Sequence, residues 1–79
     1  MSGGTKDKVA AVLADIAACD AASVHPDTQL FRDLGLDSAG ALELLVTLED
    51  EFDIHIRTDE AREVVTFQDL VRLVEAALG

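Results

Sequence analysis

One serine in this chain stands in surroundings that could support chemistry. Gly35-Leu36-Asp37-Ser38-Ala39-Gly40 places Ser38 directly after a carboxylate and between two glycines. A glycine-flanked serine suggests a nucleophile, but a nucleophile elbow has its first glycine two residues before the serine, and here it stands three before. That motif also needs a preceding strand and a parallel sheet, which this sequence does not supply. A serine nucleophile further needs a base oriented by a third group. The only histidines are His25 and His55, both in connecting segments. A calcium loop starting at Asp33 fails as well, because its sixth position would be Ser38 instead of glycine and its twelfth Leu44 instead of glutamate. No Cys/His set exists for zinc. Two readings are then open: Ser38 carries a covalent group that the rest of the chain presents, or Ser38 only caps a helix.

Helix-terminus physics gives the first reading a basis. Asp37 or Ser38 can cap a helix running through Leu42, Leu45, Val46 and Phe52, with Leu44 and Leu48 widening its apolar stripe. The first amides of a helix are unpaired and its dipole is positive there, so a phosphate is well accommodated at Ser38. Gly40 falls in the first turn, where glycine costs up to about 1 kcal/mol relative to alanine, which points to close approach by another group. From Asp33 to Ile56 there are seven acidic residues (Asp33, Asp37, Glu43, Glu49, Asp50, Glu51, Asp53) and no lysine or arginine. Helical surfaces ordinarily interleave both signs to gain pairs three and four residues apart, and this helix forgoes them. A basic partner would be steered toward the serine.

Composition narrows the classes. Seventy-nine residues suit one domain, and a chain this short buries only about 60% of its unfolded surface. Enzymatic clefts usually need more material, so size favours a binding or carrier module. The formal net charge of −10 repels nucleic-acid phosphates and anionic lipid, which argues against both as partners. Cys19 stands alone, so no internal disulfide can form. No apolar run suits a membrane span and no signal-peptide core is present, so the expected location is the cytoplasm.

In chain order, residues 1–4 read as a flexible lead-in and residues 5–79 as one domain. Thr5 is expected to cap a first helix to about Cys19, with a stripe of Val9, Val12, Leu13, Ile16 and Ala17. A long connection follows, with turn chemistry at His25-Pro26-Asp27-Thr28. Leu30, Phe31 and Leu34 are too apolar for a free loop and are expected to pin it across the helices. Asp53–Arg57 alternates like a strand but has no partner, so it reads as an extended connection with Ile54 and Ile56 inward. Thr58 or Asp59 would cap a short third helix through Val64 or Val65. Thr66 with Asp69 would cap a fourth helix carrying Phe67, Leu70, Val71, Val74 and Leu78. The sum is all-α: four helices, the third short, with a long first connection.

These residues also carry a resemblance. Asp33-Leu34-Gly35-Leu36-Asp37-Ser38, then Glu43-Leu44-Leu45 and Leu48-Glu49-Asp50-Glu51-Phe52-Asp53-Ile54, resemble the phosphopantetheine attachment region of acyl carrier proteins. The similarity continues through Ile56, Thr58-Asp59-Glu60 and Thr66-Phe67-Gln68-Asp69-Leu70, covering the domain from about Lys6. It implies a four-helix bundle of acyl-carrier type that is not itself catalytic and acts as a monomer. A phosphopantetheinyl transferase would move 4'-phosphopantetheine from coenzyme A onto Ser38. The arm's thiol would then hold acyl groups as thioesters and deliver them between acyl-loading and acyl-processing enzymes. By the same resemblance Asp37 would sit at the transferase interface. Glu43, Glu49 and Asp50 would meet basic patches on partners, with Val46 as an apolar contact. Leu42 and Val46 would border a cleft for short acyl chains.

One departure stands out. The family most often has leucine or another large apolar residue directly after the serine, and this chain has Ala39 and then Gly40. A leucine buried at an interface contributes on the order of 1–2 kcal/mol. Ala39 therefore points to a narrow set of partners, as in a dedicated carrier of a polyketide or other specialised pathway. Two other readings compete: a carrier of amino acids or peptides loaded by an adenylating enzyme, and an unmodified acidic interaction domain.

Overall fold

Four amphipathic segments fold around one apolar core in the computed structural model, which describes residues 4–79. Helix α1 spans Thr5–Ala17, α2 Ser38–Phe52, α3 Thr58–Ala61 and α4 Phe67–Leu78, with a short 3-10 turn at Ala21–Ser23 in the first connection. The expected all-α architecture is what forms, and α1 packs against both α2 and α4. Among the described residues no strand is present, only an isolated antiparallel bridge between Gln29 and Thr66. No helix among them is long and apolar enough to cross a membrane. Of the expected lead-in, residues 1–3 lie outside the described residues.

The core is built from Val9 and Leu13 of α1, Leu44 and Leu48 of α2, and Phe67, Leu70, Val71 and Val74 of α4, closed by Leu30 and Ile56 from the connections. On α2 the buried line is Leu44 and Leu48, while Leu42 and Val46, expected on the inner stripe, are 64% and 56% exposed. The helix is apolar around much of its circumference, so residue type alone does not fix its phase; packing against its neighbours does. Leu78, expected on the α4 stripe, is exposed in the last turn of that helix.

Helix ends follow local chemistry with three corrections. Gly4, not Thr5, occupies the cap position of α1, and no side chain caps that helix. The helix stops at Ala17, short of Cys19, because Ala18 turns left-handed (φ 57°) and the Cys19 amide donates to the Ala14 carbonyl at 2.9 Å. Helix α3 has no side-chain cap from Thr58 or Asp59 and ends at Ala61, before Val64. Beyond it the amides of Glu63 and Val64 close on carbonyls three residues back. The Val65 carbonyl then accepts from the Leu30 amide (3.0 Å), which holds Val65 outside the helix and leads the chain into Thr66, in extended geometry.

That last bond belongs to a seam. The Phe67 amide donates to the Thr28 carbonyl at 2.8 Å and the Gln68 amide to the Pro26 carbonyl at 2.9 Å. The long connection is thus tied by backbone bonds to the start of α4. Leu30 is buried and Leu34 half-buried, as expected, but Phe31 is 51% exposed and does not pin the connection. Ile56 is buried and Ile54 half-buried, as the extended reading of that segment requires.

Thr66 and Asp69 form the expected capping box: the Thr66 hydroxyl accepts from the Asp69 amide, and the Asp69 carboxylate accepts from the Thr66 and Val65 amides at 3.1 Å each. These backbone donors hold the Asp69 carboxyl below its ordinary pKa. A depressed folded-state pKa gives stability that is complete above the ordinary value of 3.8 and fades as pH falls through it. Asp69→Asn should therefore lower stability at neutral pH and flatten the acid limb of the stability–pH curve below about pH 4, read from urea midpoints across pH. In the core, Leu48→Ala should cost about 2–5 kcal/mol. Leu42→Ala should stay within about 0.5 kcal/mol. Equilibrium urea unfolding of both variants checks which line of α2 faces inward.

Candidate functional site

The start of α2 is set by a division of labour between two adjacent residues. Asp37, in extended geometry, caps the helix, its Oδ1 accepting from the Gly40 amide at 2.7 Å while its carbonyl accepts from the Ala41 amide at 2.9 Å. Of the two residues able to cap, Asp37 does so. The Ser38 side chain is exposed and its hydroxyl has no hydrogen-bond partner among the described residues, so its presence is not explained by capping. Asp37 satisfies the Gly40 amide, and the preceding amides of Ser38 and Ala39 have no partner among the described residues, beside the free hydroxyl.

The two flanking glycines have distinct reasons. Gly35 has φ 70°, the left-handed conformation that lets the chain turn into Leu36. At Gly40 a Cβ would come within 3.0 Å of the Leu36 side chain and 3.2 Å of Asp37 Oδ1. The close approach expected there is the cap itself and the leucine folded over it.

Ser38 opens onto a groove of about 470 Å³ lined by Phe31, Ser38, Ala41, Leu42 and Leu45 on one side and Thr58, Ala61 and Arg62 on the other. Leu42 lines this groove; Val46, expected beside it, does not, and is an exposed residue of α2 outside it. Phe31, Ala41, Leu45 and Ala61 also line a smaller apolar cavity of about 40 Å³ that reaches Leu44 and Leu70. Sequence reasoning missed Phe31 and Arg62 as neighbours of this site, since the fold alone brings residues 31 and 62 to one groove. Neither His25 nor His55 lines it.

The acidic residues separate into two groups. Glu43 and Asp50 are exposed on α2. Glu49 is committed within the fold: its Oε2 accepts from the Ile56 amide at 2.8 Å and lies 3.4 Å from His55 Nδ1, tying the end of α2 to the following connection. Ala39 is exposed next to Ser38 and presents only a methyl group.

The relatives of this small helical bundle are carrier proteins. The family model of the phosphopantetheine attachment site matches residues 7–74. An acyl carrier protein of Solidesulfovibrio magneticus is 34% identical over 73 residues, covering 92% of this chain and 94% of that protein. One from Helicobacter pylori is 36% identical over 69 residues, covering 87% and 88%. A solved structure of a Mycobacterium tuberculosis protein assigned as an acyl carrier protein superposes with a TM-score of 0.87 at 30% identity, covering 92% of this chain and 97% of that one. The chain belongs to the acyl carrier protein family, whose cofactor is phosphopantetheine.

The division between Asp37 and Ser38 can be measured. Asp37→Ala should destabilise by about 1 kcal/mol through loss of the cap. Ser38→Ala should change stability by less than about 0.5 kcal/mol. Thermal or urea unfolding of the two unmodified variants would reverse this order if Ser38 were the cap.

Proposed function

We propose that Ser38 is the attachment residue and that the chain carries acyl groups as thioesters for partner enzymes. The observation that carries this reading is the exposed, unpartnered Ser38 hydroxyl beside two unpaired amides at the start of α2. The residues fit the group: a phosphodiester on Ser38 would meet unsatisfied donors and the positive end of a helix dipole, and it would displace no capping bond. In the loading step the Ser38 oxygen bonds to the phosphorus bearing the pantetheine chain. The pyrophosphate bond of coenzyme A breaks, adenosine 3',5'-bisphosphate leaves, and the hydroxyl proton passes to the transferase or solvent. The arm then supplies a terminal thiol for thioester formation.

Within this reading the docking face is the exposed part of α2. Glu43 and Asp50 meet basic patches of partners, Val46 adds an apolar contact, and Asp37 stands where the transferase must approach. Glu49 contributes mainly by holding the α2–α3 connection in place. The methyl group of Ala39 leaves a shallow surface beside the attachment point, which favours a narrow set of partners in a dedicated polyketide or fatty-acid-type pathway. The chain acts as a substrate of these enzymes and performs no chemistry of its own.

Intact-mass measurement after incubation with coenzyme A and a broad-specificity phosphopantetheinyl transferase tests the proposal. The expected result is one phosphopantetheine added, lost in Ser38→Ala. No gain, or a gain that survives the substitution, would overturn it. Charge reversal at Glu43 and Asp50 should slow loading at low salt, with the difference fading as ionic strength rises. Loading with malonyl against aminoacyl donors distinguishes an acyl carrier from a carrier of amino acids.

A further inference from the structure

Arg62 is out of place on this molecule. The chain has six basic residues against sixteen acidic ones, and Arg62 follows Asp59-Glu60-Ala61 and directly precedes Glu63. Even so it forms no ion pair among the described residues, whereas Arg57 at the other end of α3 pairs with Asp59 at 3.6 Å. Arg62 lies on the wall of the groove that opens at Ser38, and it is the one cation among the residues lining that groove. The rest of the lining is apolar except for the hydroxyls of Ser38 and Thr58. A lone guanidinium in such a groove, with acidic neighbours it does not pair with, is suited to an anion supplied from outside the chain.

We infer that Arg62 binds the phosphodiester of the arm on Ser38 and lays the arm into the groove between α2 and α3. The inference rests on Ser38 being the attachment residue. Two oxyanions could reach this guanidinium: the phosphodiester, or a carboxylate on the carried acyl group. The phosphodiester is favoured because it is fixed to Ser38, which lines the same groove, and is present in every loaded form. Its charge would also be shared between Arg62 on one side and the unpaired Ser38 and Ala39 amides on the other. Leu42, Leu45 and Phe31 then offer apolar surface to the chain beyond the phosphate. Arg62 is a positioning residue in this scheme, since it holds the arm and takes no part in a bond-making step.

The test uses the phosphopantetheinylated protein with a free thiol and follows its single phosphodiester by phosphorus NMR. In the wild-type protein the resonance should be displaced from its position in urea-unfolded protein. Arg62→Gln should move it most of the way to the unfolded position, Arg62→Lys should retain part of the displacement, and Arg57→Gln should leave it unchanged. A fluorophore on the arm thiol should show lower anisotropy in Arg62→Gln than in wild type, with the difference shrinking toward 1 M salt, where the screening length is about 3 Å. Because Arg62 is exposed and makes no ion pair among the described residues, circular dichroism should show the same helix content in all variants. An Arg62→Gln resonance identical to wild type overturns the inference while leaving attachment at Ser38 intact. An Arg62 effect confined to protein loaded with a carboxylate-bearing acyl group also overturns it, assigning the residue to the cargo instead. Failure to gain mass at Ser38 overturns the attachment reading and this one together.

Discussion

The seam between the long first connection and the start of α4 sets the position of everything at the site. Leu30 bonds to Val65, Phe67 to Thr28 and Gln68 to Pro26, all through backbone groups. Without those bonds the segment from Asp20 to Asp37 would be a loop of the kind that a small domain rarely tolerates. With them, Leu30 is driven into the core and the chain is delivered to Gly35, whose left-handed turn aims it into α2. The seam also fixes Phe31 at the edge of the groove and holds the end of the α3 region against it. The Ser38 end of α2 and the opposite wall of its groove are positioned by the same few hydrogen bonds.

At that end of α2, one carboxylate frees one hydroxyl. A serine that capped its own helix would have its oxygen engaged by a backbone amide, and modification would cost the helix its cap. Asp37 takes the capping bond instead, and glycine at position 40 keeps that contact uncrowded, since a Cβ there would lie 3.0 Å from the Leu36 side chain and 3.2 Å from Asp37 Oδ1. The two glycines of the motif therefore serve geometry: one turns the chain into Leu36 and the other leaves room beside the cap.

How much of this was legible in the sequence depended on the range of the interaction. The Thr66–Asp69 box could be read because both partners lie within one turn, and the start of α2 could be placed for the same reason. The inner face of α2 could not, because Leu42, Leu44, Leu45, Val46 and Leu48 offer apolar residues on several faces and only contact with the rest of the core decides among them. The seam left no pattern at all, since backbone bonds between distant segments require no particular side chain. For the same reason Val64 and Val65 looked like the continuation of α3, when the bond from Leu30 holds Val65 outside it. Glu49 was legible as an acid near a docking face, but its bond to the Ile56 amide depends on how the following connection folds back.

On the proposed reading, the charge distribution has to satisfy two opposed demands. Steering a basic partner calls for uncompensated acid on α2, and the helix supplies it by carrying no lysine or arginine. Holding a phosphodiester calls for the opposite sign nearby, since an acidic surface repels it. The screening length at physiological ionic strength is about 8 Å, so the two fields can coexist only if each acts locally. The fold separates them by face: Glu43 and Asp50 stand exposed along α2, while the unpaired amides at its start and the guanidinium of Arg62 border the groove. A cation moved onto the exposed face of α2 would weaken steering, and an acid placed in the groove would oppose the arm. Net charge alone says nothing of this arrangement, which on that reading depends on where the start of α2 and a single arginine just past the end of α3 are placed.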